Sequence, residues 1–350
     1  MQENARPVRW GMLSTAGIGR VVAAAIAGST TARLVAVGGR DGQRAAAYAA
    51  ELGIERSHGS YDALLDDPEV EAVYVPLPIS MHRDWTVRAL EAGKHVLCEK
   101  PLVTNPGDAA ACFDAAERTG AVLLEGLMWR RHPQTALARR LLADGVIGEL
   151  AHIRAALTVD VPPGDIRRTG TLGGGASLDL GCYCVSAVRL FGGRPRHVAA
   201  TRVVDTADGA DGGDLRTSAL LELPGGASAQ FDVALDHPRR DELELIGTGG
   251  TILVPDPWLC RAGRIVVVEK GNEANPQAFE ADPDGVFDLS PDAENDDAYR
   301  LEMEHASRVI RGEDTDPFGR ADAIEQAAVL EAVRTASATG EWVTMEEVAS

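Results

Sequence analysis

Lysine is almost missing from this chain of 350 residues: Lys94, Lys100 and Lys270 are three among 34 basic side chains, and the rest are arginine. Positive charge is scarce overall, since 53 acidic residues leave a net charge of −19. Such an acidic surface repels phosphate backbones, which argues against nucleic acid as a partner. Long hydrophobic runs are lacking too. No stretch reaches the roughly 18 apolar residues of a membrane helix, so no membrane partner is expected. The opening residues, MQENARPVRW, hold no apolar core of a secretory signal. Cysteine is sparse as well, with five residues in no framework spacing. That odd, unpatterned set fits a reducing, cytoplasmic setting.

What is present is an ordinary globular composition, 45% apolar and 25% charged. The length favours two domains. From residue 8 to about residue 125, short apolar runs alternate with helical stretches. The runs are Val8–Leu13, Leu34–Val37, Val70–Val75, His95–Cys98 and Ala121–Leu124. The helical stretches are Ile18–Ala27, Gln43–Leu52, Tyr61–Leu65, Arg83–Ala92 and Gly107–Thr119. Asn105-Pro106 opens the last helix as N-cap and first helical residue, and Gly93 closes the fourth. This rhythm predicts a parallel, doubly wound sheet.

After about residue 148 longer alternating runs take over: Ala151–Val159, His197–Val204, Arg216–Leu223, Ser228–Ala234, Glu242–Ile246 and Arg264–Glu269. Pro224-Gly225-Gly226 and Thr248-Gly249-Gly250 mark turns between them, and the pattern predicts an antiparallel sheet. One helix is expected over Ser177–Phe191 and two more over Tyr299–Arg311 and Ala321–Ala338, with an acidic solvated loop at 281–297. The expected fold is therefore α/β: an N-terminal doubly wound dinucleotide-binding domain over 1–126, then an α+β domain over 127–350 with an open, mainly antiparallel sheet. Its C-terminal helices are free to pack back on the first domain. An open sheet face needs a cover, and a second copy of the chain is the economical one, so a homo-oligomer is expected.

Glycine is short in one telling place. The turn after the first strand reads Ser14-Thr15-Ala16-Gly17-Ile18-Gly19, where a dinucleotide fingerprint would read G-x-G-x-x-G. The last glycine alone is kept. Ser and Ala still allow close backbone approach, and Ser14 and Thr15 add hydroxyl donors for phosphate at a helix N-terminus. The plain alternative is an ordinary strand-to-helix turn. At the end of the second run, Gly38-Gly39-Arg40 occupies the place where an NAD-selecting fold carries Asp or Glu. Arginine there would pair with the 2′-phosphate of NADP, and Arg44 offers a second cation. Solvated surface arginines are the alternative. Asp41, next to Arg40, has two readings, the ribose acid and the N-cap of the following helix, and the N-cap is the one expected.

Lys100 lies just past a strand, at the carboxyl end where open α/β sheets bind ligands. Pro101 follows it and is a candidate cis bond. Glu99 flanks it. In GGGASLDLGCYCVSA, Asp179 and Tyr183 are four apart and so share a helical face. A phenol beside an ammonium becomes a usable base, and the alternative is a buried tyrosine with a satisfied hydroxyl. Cys182 and Cys184 flank it without a His/Cys cluster, so they read as packing and no metal is expected. Trp129 and Arg130, in EGLMWRRHPQ, are candidates to stack on or hold a flat cofactor ring, or to form a packed hinge. His82 follows the Pro76-Leu77-Pro78 turn and reads as a cofactor contact or a helix cap.

With these stretches in order, the chain resembles the Gfo/Idh/MocA oxidoreductase family over nearly its whole length. EKP at 99–101 and GGGASLDLGCYC at 173–184 carry the resemblance. WGMLSTAGIG, VAVGGRD, GKHVLCEKP and EGLMWRRHPQ look most like its trans-1,2-dihydrodiol dehydrogenase and NADP-dependent D-xylose dehydrogenase branch. The resemblance implies hydride transfer between nicotinamide and a sugar, cyclic polyol or dihydrodiol-like alcohol, with NADP expected over NAD. It implies that Lys100 orients the reacting hydroxyl and tunes the acid/base group, Tyr183, and that Asp179 assists substrate binding. Ser14, Thr15, Ala16, Gly17, Ile18, Gly39, Arg40, Arg44, Leu77, Pro78, His82, Glu99, Lys100, Trp129 and Arg130 are the expected cofactor residues. Dimers or tetramers built on the open sheet are implied too. Ile79 departs from relatives that carry asparagine there. Two other functions use the same scaffold: a cofactor-binding regulator without turnover, and an NAD-dependent glycosidase. Lys100, Asp179 and Tyr183 argue against the first, and Arg40 and the tyrosine against the second.

Overall fold

The computed structural model describes residues 6–206, 212–289 and 297–345. The chain divides into two compact units, Met1–Met128 with Glu294–Ile324, and Trp129–Ala293 with Glu325–Ser350.

The first unit alternates strand and helix: β1 (Val8–Leu13), α1 (Ile18–Ala25), β2 (Ala32–Gly38), α2 (Gly42–Leu52), β3 (Arg56–His58), α3 (Tyr61–Leu65), β4 (Ala72–Val75), α4 (Ile79–Glu91), β5 (His95–Glu99), α5 (Pro106–Thr119) and β6 (Leu123–Gly126). The strands form one sheet in the order β3-β2-β1-β4-β5-β6, and every pair is parallel. The order reverses between β1 and β4, so the crevice at their carboxyl ends is the natural ligand position. Every residue of β4 is buried, as is all of β1 save the half-buried Arg9, which is why their sequences read as unbroken apolar runs. The polar edge strand β3, Arg-Ser-His, carries no apolar signal, and the sequence pattern misses it.

Local chemistry sets the helix ends. Asp41 accepts from the Gln43 and Arg44 amides and caps α2, as expected. Asn105 caps α5 by accepting from Asp108 N, with Pro106 in the first turn, and Gly93 follows α4 at φ 76°. Helix α4 starts at Ile79, one turn before the expected Arg83, because Pro78 serves as its N-cap residue. A late helix, α9 (Asp297–Ile310), joins this unit. Trp10 Nε1 of β1 donates to Ser307 Oγ at 3.0 Å, and the Arg311 fork meets Glu71 at 3.0 and 3.1 Å.

The second unit contains α6 (Pro133–Ala143), β7 (Leu150–Asp160), α7 (Ala176–Asp179), α8 (Gly181–Gly192), β8 (His197–Val204), β9 (Asp214–Glu222), β10 (Ser228–Ala234), β11 (Asp236–Gly247), β12 (Gly250–Leu253), β13 (Arg264–Glu269), β14 (Gln277–Glu280) and β15 (Val343–Thr344). Helix α10 (Arg320–Thr339) starts in the first unit and ends in this one. The sheet has nine strands in the order β14-β13-β12-β11-β7-β10-β9-β8-β15. All its pairs are antiparallel except β7 with β10. One face, with Ile153, Ala219, Leu221, Phe231 and Leu245, is buried, and α7 and α8 pack on the sheet. The other presents Arg154, Ser218, Leu220, Val203 and Gln230.

Two expectations are corrected here. Helix α6 was not anticipated, although His132 caps it and Pro133 opens it. The single helix expected over Ser177–Phe191 is two, which meet at Leu180, at φ −109° and ψ −38°. The acidic stretch is exposed and without regular structure over 281–289; residues 290–296 of it lie outside the described residues. Among the described residues no helix is long and apolar enough to cross a membrane.

Candidate active site

The turn after β1 shows what became of the fingerprint. Ser14, in the first glycine position, sits at φ 149°, a conformation that favours glycine. Its hydroxyl holds the turn: it accepts from Ala16 N at 2.9 Å and donates to Pro76 O at 3.3 Å. Ser14 is buried, and its hydroxyl closes the turn. Thr15, Ala16 and Ile18 are half-buried, and Gly17 is exposed with open space where a side chain would start. The glycine that is kept has a packing reason. A Cβ on Gly19 would stand 2.3 Å from Met12 Sδ and 2.6 Å from Tyr48 Oη. The Tyr48 hydroxyl in turn donates to Ala16 O at 2.8 Å. Thus α1 is pressed close to β1, its N-terminus opens outward, and a dinucleotide pyrophosphate fits there.

At the end of β2, Gly39 is packed so that a Cβ would meet Ala45 Cβ at 3.3 Å and Thr15 Cγ2 at 3.5 Å. Arg40 and Arg44 follow, both exposed, and neither makes an ion pair among the described residues. The Asp41 carboxylate is engaged by the α2 cap. Positions 39 and 40 carry no carboxylate, Asp41 uses Oδ1 in the cap, and the two guanidinium groups are exposed.

Lys100 leaves the carboxyl end of β5, and the Lys100–Pro101 bond is cis. The side chain is half-buried. Glu99 Oε2 accepts from Lys100 N at 3.2 Å, and Glu99 Oε1 accepts from the Tyr74 hydroxyl at 2.5 Å. Burial, with Glu99 next to it, pushes the Tyr74 phenol far above its ordinary range, so it stays a donor. His82 is 1% exposed. Its Nδ1 lies 2.9 Å from Pro101 O and its Nε2 2.8 Å from Leu77 O. The helix-capping reading of His82 is thereby corrected: Pro78 holds the cap position, and the imidazole bridges the loops after β4 and β5. Burial draws its pKa down, against the pull of the carbonyls, and the Lys100 charge adds to the lowering.

In the second unit, Asp179 ends α7 and Tyr183 lies in the first turn of α8. Leu180, itself in the right-handed helical region, lies between the two helices. Asp179 is half-buried, and the Arg167 guanidinium is close enough to feel its charge, while Asp165 holds that guanidinium at 2.9 and 3.0 Å. Asp214 anchors α7 by accepting from Ser177 N at 2.7 Å and Ser177 Oγ at 2.8 Å. Tyr183 is 6% exposed, with its ring centroid 5.8 Å from that of Trp258. Trp258 donates through Nε1 to Ala156 O at 3.0 Å and stands edge-on to Trp129 at 5.7 Å. Trp129 is 1% exposed and also meets Phe191, and Arg130 Nε donates to Ser186 Oγ at 2.7 Å. A ring that stacks on a cofactor needs an open face, so the stacking expected of Trp129 is corrected to packing. Cys182 and Cys184 are buried and form no disulfide among the described residues. Trp258, Glu125, Tyr74 and Arg167 are missed by sequence reasoning. The partners of Trp258, Glu125 and Tyr74 lie far away in the chain and no local motif announces them, while Arg167 pairs with Asp165 two residues away.

A strand-to-helix turn after β1 and a lysine past the carboxyl end of β5, on a six-stranded parallel sheet, are the features of a dinucleotide-binding domain. Two family profiles match the chain: "Oxidoreductase family, NAD-binding Rossmann fold" over residues 8–127, and the GFO/IDH/MocA C-terminal domain over residues 135–253. The chain belongs to the Gfo/Idh/MocA oxidoreductase family. It is 35% identical over 348 residues to a D-xylose 1-dehydrogenase (NADP(+)) of Haloferax volcanii, covering 96% of this chain and 99% of that protein. It is 31% identical over 255 residues to the trans-1,2-dihydrobenzene-1,2-diol dehydrogenase of Xenopus tropicalis, covering 71% and 76%. The crystal structure of a 3-ketoreductase from Actinomadura kijaniata, with NADP and TDP-benzene, aligns with a TM-score of 0.83 at 30% identity, over 94% of this chain and 98% of that one.

Proposed function

We propose that this protein is an NADP-preferring dehydrogenase or reductase acting on a CH–OH group of a sugar, cyclic polyol or dihydrodiol-like alcohol. The observation that carries the reading is Lys100, held in a cis-proline turn at the carboxyl end of β5, in a chain of this oxidoreductase family. NADP supplies the hydride chemistry when bound. Thr15, Ala16, Gly17 and Ile18 receive the pyrophosphate, with Ser14 setting the turn. Gly39, Arg40 and Arg44 receive the 2′-phosphate. Leu77, Pro78 and Glu99 shape the wall beside it, and His82, Trp129 and Arg130 support from behind. Lys100 orients the substrate hydroxyl through Nζ and supplies the positive charge that favours phenolate. Tyr183 takes the hydroxyl proton at Oη in the oxidative direction and returns it in the reductive one. Asp179 binds a neighbouring substrate hydroxyl.

The segment 1–126 serves as the dinucleotide domain and 127–350 as the substrate and oligomerisation domain. A homodimer or homotetramer built on the open face of the nine-stranded sheet is part of the proposal; exposed Leu220 and Val203 on that face support it. A cytoplasmic setting is also part of the proposal, supported by five buried cysteines that form no disulfide among the described residues.

The test is a panel of aldoses, cyclic polyols and dihydrodiols, with NADP reduction followed by absorbance. Turnover is expected with at least one class, and Lys100→Met and Tyr183→Phe should each remove most of it while NADPH still binds. Near-normal turnover in Tyr183→Phe would take the tyrosine out of the mechanism. NADPH binding with no turnover on any substrate would leave a cofactor-binding regulator instead.

A further inference from the structure

We infer that Glu125 is a positioning residue for Lys100, acting through the backbone of the turn that carries it. The inference rests on the role proposed above for Lys100. Glu125 belongs to β6, where its Cα is paired with Cys98 of β5. Its side chain is 5% exposed, and Oε1 accepts from Leu102 N–H at 2.9 Å. Leu102 is two residues beyond Lys100, on the far side of the cis bond. The near side is held by Glu99 Oε2 on Lys100 N, and the apex by His82 on Pro101 O. The turn is therefore gripped at residues 100, 101 and 102 by three buried or half-buried side chains from β5, α4 and β6.

Of these grips Glu125 is the one that comes from the neighbouring strand. It fixes the turn to the sheet rather than to itself. The adjoining residue supports the same register: a Cβ on Gly126 would stand 3.1 Å from Cys98 O and 3.3 Å from Glu99 Cα, so β6 lies tight against the strand end that launches Lys100. An N–H···O bond of this length is directional and fixes the place of its donor. Without it, Leu102 N–H loses its partner, the turn relaxes, and the ammonium is no longer held at one place. A displacement of about 1 Å at a catalytic group costs on the order of a hundredfold in rate.

The experiment compares Glu125→Ala and Glu125→Gln in the wild-type and Lys100→Met backgrounds, using the alcohol that the panel identifies. Steady-state kinetics are read together with NADPH affinity by fluorescence. Glu125→Ala should lower kcat roughly a hundredfold while KM and the NADPH dissociation constant stay within about threefold, roughly 0.7 kcal/mol. Glu125→Gln keeps an oxygen acceptor and should recover most of kcat. In the Lys100→Met background Glu125→Ala should cost little more, since no ammonium is left to place. Unchanged kcat in Glu125→Ala, a loss of NADPH binding in step with kcat, a Gln variant as impaired as the Ala one, or full additivity with Lys100→Met would each overturn the inference. Full turnover in Lys100→Met alone would instead defeat the role of the lysine, and the inference with it.

Discussion

Removing Arg40 should erase most of the preference for NADP. In the structure Arg40 follows Gly39 at the end of β2, is exposed, and makes no ion pair among the described residues. No internal partner has to be given up when a phosphate arrives. The one nearby carboxylate, Asp41, is engaged by the Gln43 and Arg44 amides. A charge-assisted pair is worth about 1.5–3 kcal/mol, and solvent exposure brings that down to about 0.5–1 kcal/mol. At about 1.4 kcal/mol per tenfold, the proposed pair would supply roughly a 2- to 5-fold selectivity. Arg40→Ala should therefore lower kcat/KM for NADP by that factor and leave kcat/KM for NAD nearly unchanged. The ratio of the two, measured with one substrate at fixed salt, is the assay. Raising ionic strength should narrow the wild-type preference and leave that of the variant alone, because exposed charges are screened. Arg44, one turn along α2, should contribute a smaller share. An NADP/NAD ratio that stays the same in Arg40→Ala, or in the Arg40→Ala/Arg44→Ala double variant, would refute the argument.

Two further outcomes follow from packing and charge. Gly19→Ala should destabilise the first unit by about 1–3 kcal/mol through overpacking and weaken NADPH binding, since the methyl meets Met12 and the Tyr48 hydroxyl that holds Ala16 O; unchanged melting and affinity would mean the Met12 side chain gives way freely. Glu71 bears on acid stability. Burial works against its ionisation, yet the Arg311 fork and the Arg9 amide outweigh this and hold its pKa below the ordinary value. A depressed folded pKa means the contribution is present above the unfolded value, about 4.3, and is lost as pH falls through the folded one. Glu71→Gln should thus shift acid unfolding of the first unit to higher pH and cost about 1 kcal/mol at neutral pH; coincident acid-unfolding curves would count against the ion pair.

Much of the framework was legible because its signals are local. Asp41, Asn105-Pro106 and Gly93 end helices through their own backbone chemistry, and the structure shows each doing so. Buried strands such as β4 announce themselves by burying every side chain. The cis bond before Pro101 was foreseen from the X-Pro dipeptide. The errors have equally physical causes. Spacing predicts one continuous helix through Asp179 and Tyr183, whereas the structure has two helices that meet at Leu180. His82 looked like a cap because it stands near a helix start. Its burial and its two carbonyl neighbours come from loops that the sheet brings together.

The amino-acid sequence by itself determined the doubly wound order, the helix caps, the scarcity of lysine that singled out Lys100, and the Gly38-Gly39-Arg40 run at the end of the second strand. Each of these depends on residues within a few positions of one another. Only the tertiary structure decided why Gly19 survives where two other fingerprint glycines do not. It also decided that the Ser14 hydroxyl closes its own turn, that Trp129 is a packing residue, and that Glu125 reaches across from β6 to the turn after β5. Those facts rest on approach distances between segments far apart in the chain. Such distances exist only once the hydrophobic face of each element has found its partner and the whole is close-packed.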